Sequence, residues 1–194
     1  MLVVRWVSLL SNAVLSLEKT IATALTALLA LLVLLNIVTR SAGAAIFWID
    51  ELAIYTMIWM VLITASVMAR MRLGVAVTVV TDFLPPTSRR IIARLVDSIA
   101  LLFALILVVL CWQWYDPVAL IRSGFDLDVF AQDTFKFIYS EPTNTVGIRK
   151  FWIWLAVPLM AVDMSLHALA NLLEGPRGDA DLAAGNEEAL GGTL

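Results

Sequence analysis

Four stretches of this chain could each cross a lipid bilayer as a helix with little or no charge along the way. No Asp, Glu, Lys or Arg falls between Lys19 and Arg40, between Glu51 and Arg70, or between Asp97 and Asp116, and the run from Lys150 to Glu174 is interrupted by Asp163 alone. A hydrocarbon core about 30 Å thick takes about 20 helical residues to span. Inside it each span must satisfy its own backbone hydrogen bonds, and the runs are longer than tilted barrel strands need. The sequence therefore predicts an all-α integral membrane protein with four transmembrane helices. Composition agrees: 61% of the 194 residues are hydrophobic and 15% charged, where a soluble domain carries about a quarter charged residues.

Orientation follows from where the basic residues gather, because Lys and Arg near a span stay on the cytoplasmic side. With the N-terminus inside, Arg5, Lys19, Arg70, Arg72, Arg89, Arg90, Arg94 and Arg177 are cytoplasmic, eight of the thirteen Lys and Arg residues. Arg40, Arg122, Lys136, Arg149 and Lys150 are outside, most of them in a loop whose acids balance them. The expected topology has both ends in the cytoplasm.

Along the chain, residues 1–17 carry Leu2, Trp6, Leu9, Ala13 and Leu17 on one helical face and Arg5, Ser8, Asn12 and Ser16 on another. That pattern predicts an amphipathic helix lying in the membrane interface. Residues 20–39 form the first span and 50–69 the second. Residues 73–88, with Val75, Val77, Val79 and Val80 before Asp82 and the Pro85-Pro86 break, are expected to make a short cytoplasmic interfacial segment. The third span covers 91–115 and ends on the headgroup-level aromatics Trp112, Trp114 and Tyr115. Residues 116–150 form an aromatic-rich periplasmic loop that folds over the bundle or meets a partner. The fourth span covers 151–173. The tail, 174–194, has too little large apolar surface to offset the entropy of ordering it, and is expected to be disordered.

Candidate chemistry is sparse. The single His167 cannot supply two imidazoles to a haem or zinc site, and no glycine-rich phosphate loop occurs. The one cysteine, Cys111, excludes an intrachain disulfide and reads as a small lipid-facing or packed residue. No catalytic, substrate-binding or metal-ligating residue and no cofactor is assigned, and the chain does not read as an enzyme. The lack of a long basic run argues against nucleic acid as a partner and leaves membrane lipid as the expected surroundings. The ionisable residues at membrane depth stand out because burying a charge there costs about 3 kcal/mol. Asp163 and His167, four residues apart, share a helical face. They read either as a proton relay or, with more weight, as a structural arrangement in which Asp163 is neutralised by His167 or points toward the cytoplasmic interface or a partner helix. Asp97, three residues after Arg94, is expected to be neutralised by it. Glu18 and Lys19 read as an interfacial anchor unless a partner uses them. Asp50 and Glu51 in the first turn of the second span complement the helix dipole. Pro158 leaves the carbonyl of Trp154 without its helical donor.

Several of these features occur in a recognisable order. Trp48-Ile49-Asp50-Glu51-Leu52-Ala53, then Trp59, then Arg70, resembles the signature of the small, DctQ-type membrane subunit of tripartite ATP-independent periplasmic (TRAP) transporters. Asn36 to Arg40 resembles that family's ending of the first helix, and Asp82-Phe83-Leu84-Pro85-Pro86 followed by Arg89-Arg90 its loop before the third. Pro158 matches a proline in the fourth, and the resemblance covers about residues 18–173. Thr64 and Gly74 depart from its usual glycine and histidine, and the loop from Asp116 to Pro142 is longer.

The resemblance implies a scaffold subunit in the bacterial cytoplasmic (inner) membrane. A periplasmic substrate-binding protein would capture an organic anion, and a large membrane subunit would move it inward on a sodium gradient. It further implies that Trp48, Asp50, Glu51, Trp59 and Arg70 are interface or helix-end residues, with Asp50 and Glu51 facing the large subunit or the docking surface. The rival reading is a stand-alone dimeric exporter that exchanges protons through Asp163 and His167.

Overall fold

The computed structural model describes residues 2–73 and 85–175, and within the helix that opens at Pro86 it leaves the side chains of Pro86 and Thr87 undescribed. Most of the expected interfacial segment 73–88 and of the tail 174–194 lies outside the described residues. Every regular element among the described residues is helical: α1 (Leu2–Ser41), α2 (Phe47–Met71), α3 (Pro86–Tyr115), α4 (Pro117–Arg122), α5 (Leu127–Thr134), α6 (Phe151–Trp154) and α7 (Ala156–Glu174). Among the described residues, four helical stretches are long and apolar enough to cross a membrane: α1, α2, α3 with its short continuation α4, and α6 with α7. The sequence reading of an all-α protein with four such helices holds.

The pattern of burial is that of a protein whose solvent is lipid. Large apolar side chains point outward, with Leu31, Leu102 and Trp112 each about three-fifths exposed, while Ser11, Glu18, Ser66, Arg70, Asp97, His167 and Asn171 are buried. In water this distribution would be unfavourable. In hydrocarbon the apolar faces need no cover, and polar groups gain by facing one another.

α1 is one helix 40 residues long, where the sequence suggested a break between residues 17 and 20. No glycine or proline interrupts Leu2 to Ser41, and Glu18, whose charge marked the expected division, is buried against α7. Of the polar stripe of residues 1–17, Ser8 and Asn12 face other helices, while Arg5 and Ser16 are exposed. Ser8 and Asn12 bond α7 and α2, while Leu2, Trp6, Leu9 and Leu17 stay exposed. Asn12 lies beside Arg70, and Asn36 beside Asp50. The length of α1 alongside α2 is thus about 36 Å at 1.5 Å per residue, and Glu18 sits about 9 Å inward from Asn12.

α2 runs antiparallel to α1 and ends on Arg72, whose left-handed φ of 55° turns the chain and lets its N–H reach Ala69. Proline at the first position opens α3, where its missing N–H would have had no helical partner. Asp116 closes α3 and caps α4 by accepting from the Ala119 N–H, and Asp126 caps α5 in the same way from Asp128 and Val129. The fourth span is broken at Leu155 into α6 and α7. Pro158 accounts for the break: its ring crowds the carbonyl four residues earlier, that of Trp154, and it offers no N–H in return.

α7 is the central element. α1, α2 and α7 pack against one another, and α3 packs chiefly on α7. Ala156, Ala161, Ala168 and Ala170 on α7 and Ala104 on α3 are buried, small residues that let helix backbones approach closely in a membrane. The starts of α1 and α3 and the ends of α2 and α7 lie at one end of the molecule, and α4, α5 and the rest of the loop at the other.

Candidate functional site

The polar side chains gather into clusters, and each joins parts of the chain distant in sequence. Arg70, 1% exposed, forms the densest. Its Nη1 donates to Asn171 Oδ1 at 2.6 Å and to Glu174 Oε2 at 2.8 Å, and its Nη2 donates to Asn12 Oδ1 at 2.7 Å and to Glu174 Oε1 at 2.8 Å. The forked guanidinium matches the carboxylate two bonds to two. Asn171 Nδ2 in turn donates to the Ala69 carbonyl near the end of α2. One side chain therefore clamps α1, α2 and α7 together.

Two residues on, Arg72 ties in α3. Its Nε and Nη2 reach the two carboxylate oxygens of Asp97 at 3.2 and 2.7 Å, and Nη2 also donates to the carbonyls of Asn171 and Gly175. The expected partner of Asp97 was Arg94. That expectation is corrected: Arg94 is exposed, and the left-handed turn at the end of α2 delivers Arg72 to Asp97 instead.

His167 is fully buried. Its Nε2 lies 2.9 Å from Glu18 Oε2 and its Nδ1 2.7 Å from Ser11 Oγ, so both ring nitrogens are engaged by α1. The expectation that His167 pairs with Asp163 gives way to this arrangement. Residues four apart on one helix share a face, but antiparallel α1 supplies partners nearer to the imidazole. Asp163 remains partly buried on α7. Glu18 is buried against α7, whereas the neighbouring Lys19 is exposed.

At the opposite end Glu51 anchors the loop. Its carboxylate accepts the successive backbone N–H groups of Asn144, Thr145 and Val146 at 2.7, 2.6 and 3.0 Å, together with the Thr145 hydroxyl at 2.5 Å and the Tyr55 hydroxyl at 2.5 Å. Successive N–H groups converging on one point make an anion nest, and here the anion belongs to α2. Asp50 beside it accepts from Asn36 and Arg40 of α1. The loop is otherwise held by an antiparallel bridge between Pro142 and Arg149, by Lys136 on Asp116 at 2.7 Å, and by Lys150 on Glu141 at 2.5 Å. Tyr139 stacks edge-on against Tyr115 and Phe130. Burial there, reinforced by the Asp116 carboxylate, pushes its phenol above the ordinary value. The loop thus folds over the ends of the helices, one of the two alternatives its composition left open.

The five residues singled out in sequence divide accordingly. Glu51 and Arg70 are buried and bonded within the chain, Asp50 is partly exposed, Trp48 is 45% exposed beside an exposed Phe47, and Trp59 is partly buried. Ser11, Asn12, Glu18, Asn171 and Glu174 carried no sequence signal of these roles beyond being polar in apolar surroundings. Cys111 is packed. Among the described residues no group of His, Cys, Asp and Glu is arranged to hold a metal ion.

The family model for the DctQ component of tripartite ATP-independent periplasmic transporters matches residues 29–178. No curated protein and no solved structure gives a match.

Proposed function

Because the chain belongs to the family of the DctQ component of tripartite ATP-independent periplasmic transporters, we propose that it is the small scaffold subunit of such a transporter. It sits in the bacterial inner membrane with both ends in the cytoplasm. It braces the large permease subunit during sodium-driven, binding-protein-dependent uptake of an organic anion, a carboxylate in the first instance. The observation that carries this reading is the Arg70 clamp: a buried guanidinium fixes α1, α2 and α7 to one another through Glu174, Asn171 and Asn12. Polar groups joined in this way stiffen a frame, and the outward apolar faces suit contact with lipid and with a larger membrane partner. In this scheme Trp48 and Asp50, with Trp59 below them, meet the large subunit. Glu51 and Arg70 act inside the chain by holding the loop and the helix ends. The exporter alternative is not favoured, since the ring nitrogens of His167 face Ser11 and Glu18 rather than Asp163.

The test is uptake by membranes containing the large permease and the binding protein, with and without this chain, under an imposed sodium gradient. Scaffold function predicts uptake that collapses without the chain. It also predicts copurification with the permease that Trp48→Ala with Asp50→Lys weakens by about tenfold, equivalent to about 1.4 kcal/mol. Undiminished uptake in the absence of the chain would overturn the proposal.

A further inference from the structure

Between α2 and α3, above the face of α7, lies an open groove of about 280 Å³. Ala65, Met68 and Ala69 form one wall, Ala93 and Ala100 the other, and Met164 the floor. Because the walls are largely alanine, the two helices stand apart without filling the gap themselves. Arg72 and Asp97, both in its lining, are locked in an ion pair, so the acid among the described residues of the lining is already matched by a cation.

The stripe of α3 that lines the groove repeats at helical spacing through Ala93, Val96, Asp97 and Ala100. Continued one turn toward the start of the helix it reaches Arg89 and Arg90, of which Arg90 is exposed. A narrow apolar slot within the span therefore leads to basic side chains at its end. We propose that this groove binds one anionic phospholipid, its acyl chain along the alanine walls and its phosphate at Arg89 and Arg90. Size favours this occupant over a partner helix, because a helix 10–12 Å across cannot enter so small a space without parting α2 from α3. Charge favours an anionic headgroup, since basic pockets between helices at the cytoplasmic surface attract one. The site depends only on this chain's own helices, so it stands or falls independently of assembly with a permease.

The experiment uses the full chain purified in an uncharged detergent, offered phosphatidylglycerol or phosphatidylcholine, with bound lipid counted by native mass spectrometry. One phosphatidylglycerol per chain is expected to be retained in preference to phosphatidylcholine. Arg90→Gln should weaken retention by about fivefold and Arg89→Gln with Arg90→Gln further. Ala100→Phe, which fills the slot, should abolish it with the helical circular dichroism unchanged. If that variant fails to fold, Arg90→Gln on the surface still decides. Equal retention of the two lipids, or indifference to loss of both arginines, would refute the site. So would a lipid-free complex with the permease whose assembly Ala100→Phe blocks, which would assign the groove to a partner helix.

Discussion

The Arg70 clamp makes an asymmetric prediction. The Arg70 side chain is 2% exposed and that of its partner Glu174 26%, so the two members of the pair do not suffer equally when the other is lost. In Arg70→Met, Glu174 and Asn12 can recover water at the helix ends. Asn171, 2% exposed, loses the donor to its Oδ1, and an orphaned buried acceptor costs about 1–3 kcal/mol. The whole change is expected to cost about 2–3 kcal/mol. In Glu174→Gln the buried guanidinium keeps two amide acceptors but loses its counter-charge. Breaking a buried pair from that side costs about 3–5 kcal/mol, and the partial exposure of Glu174 places the value near the lower end. The double variant should then be more stable than the sum of the single losses predicts, by more than about 1 kcal/mol. Reversible unfolding in mixed micelles with increasing sodium dodecyl sulfate, followed by helical circular dichroism, measures all three. Additivity within about 0.5 kcal/mol, or a larger loss from Arg70→Met than from Glu174→Gln, would refute the reasoning.

Three further outcomes are expected. Arg94→Ala should change stability by less than about 0.5 kcal/mol, whereas Arg72→Ala should cost about 3–5 kcal/mol by leaving the buried Asp97 without its partner; the reverse order would restore the local Arg94 pairing. Glu51→Gln should speed hydrogen exchange at Asn144, Thr145 and Val146 by about tenfold or more, since their N–H groups lose the carboxylate that holds them, and unchanged protection would show that the loop is held by something else. Tyr139, raised in the folded protein, favours folding while it stays protonated, so its contribution is intact below about pH 10, the unfolded value, and is lost as pH rises through the higher folded value. Tyr139→Phe should accordingly flatten the decline of stability in alkali, and a spectrophotometric titration in which Tyr139 ionises like a free phenol would contradict this.

Much of the fold was legible in sequence because its strongest constraint is local. A long uncharged run in lipid has one common way to satisfy its backbone, and the four runs became α1, α2, α3 and the pair α6 and α7. Pro158 was equally local, and it broke the fourth span where its ring meets the Trp154 carbonyl. The same local reasoning misled where charges were concerned. Glu18 with Lys19 looked like a boundary, and Arg94 with Asp97 and Asp163 with His167 looked like pairs, because each reading considered partners only along one helix.

The partners that mattered came from other helices. Amphipathic spacing divided residues 1–17 into an apolar and a polar face, but it could not say which face meets lipid; the packing of α7 and α2 against Ser8 and Asn12 decided that. Glu51 could be read as a capping acid or an interface acid from its position in α2, and only the return of a loop more than 90 residues later revealed it as the centre of a nest. Apolar length by itself determined that the chain is a set of membrane-crossing helices, because hydrogen-bonding demand in hydrocarbon is met within each span. Which polar groups join those helices was decided by tertiary structure alone, because a buried charge is neutralised by the group nearest in space.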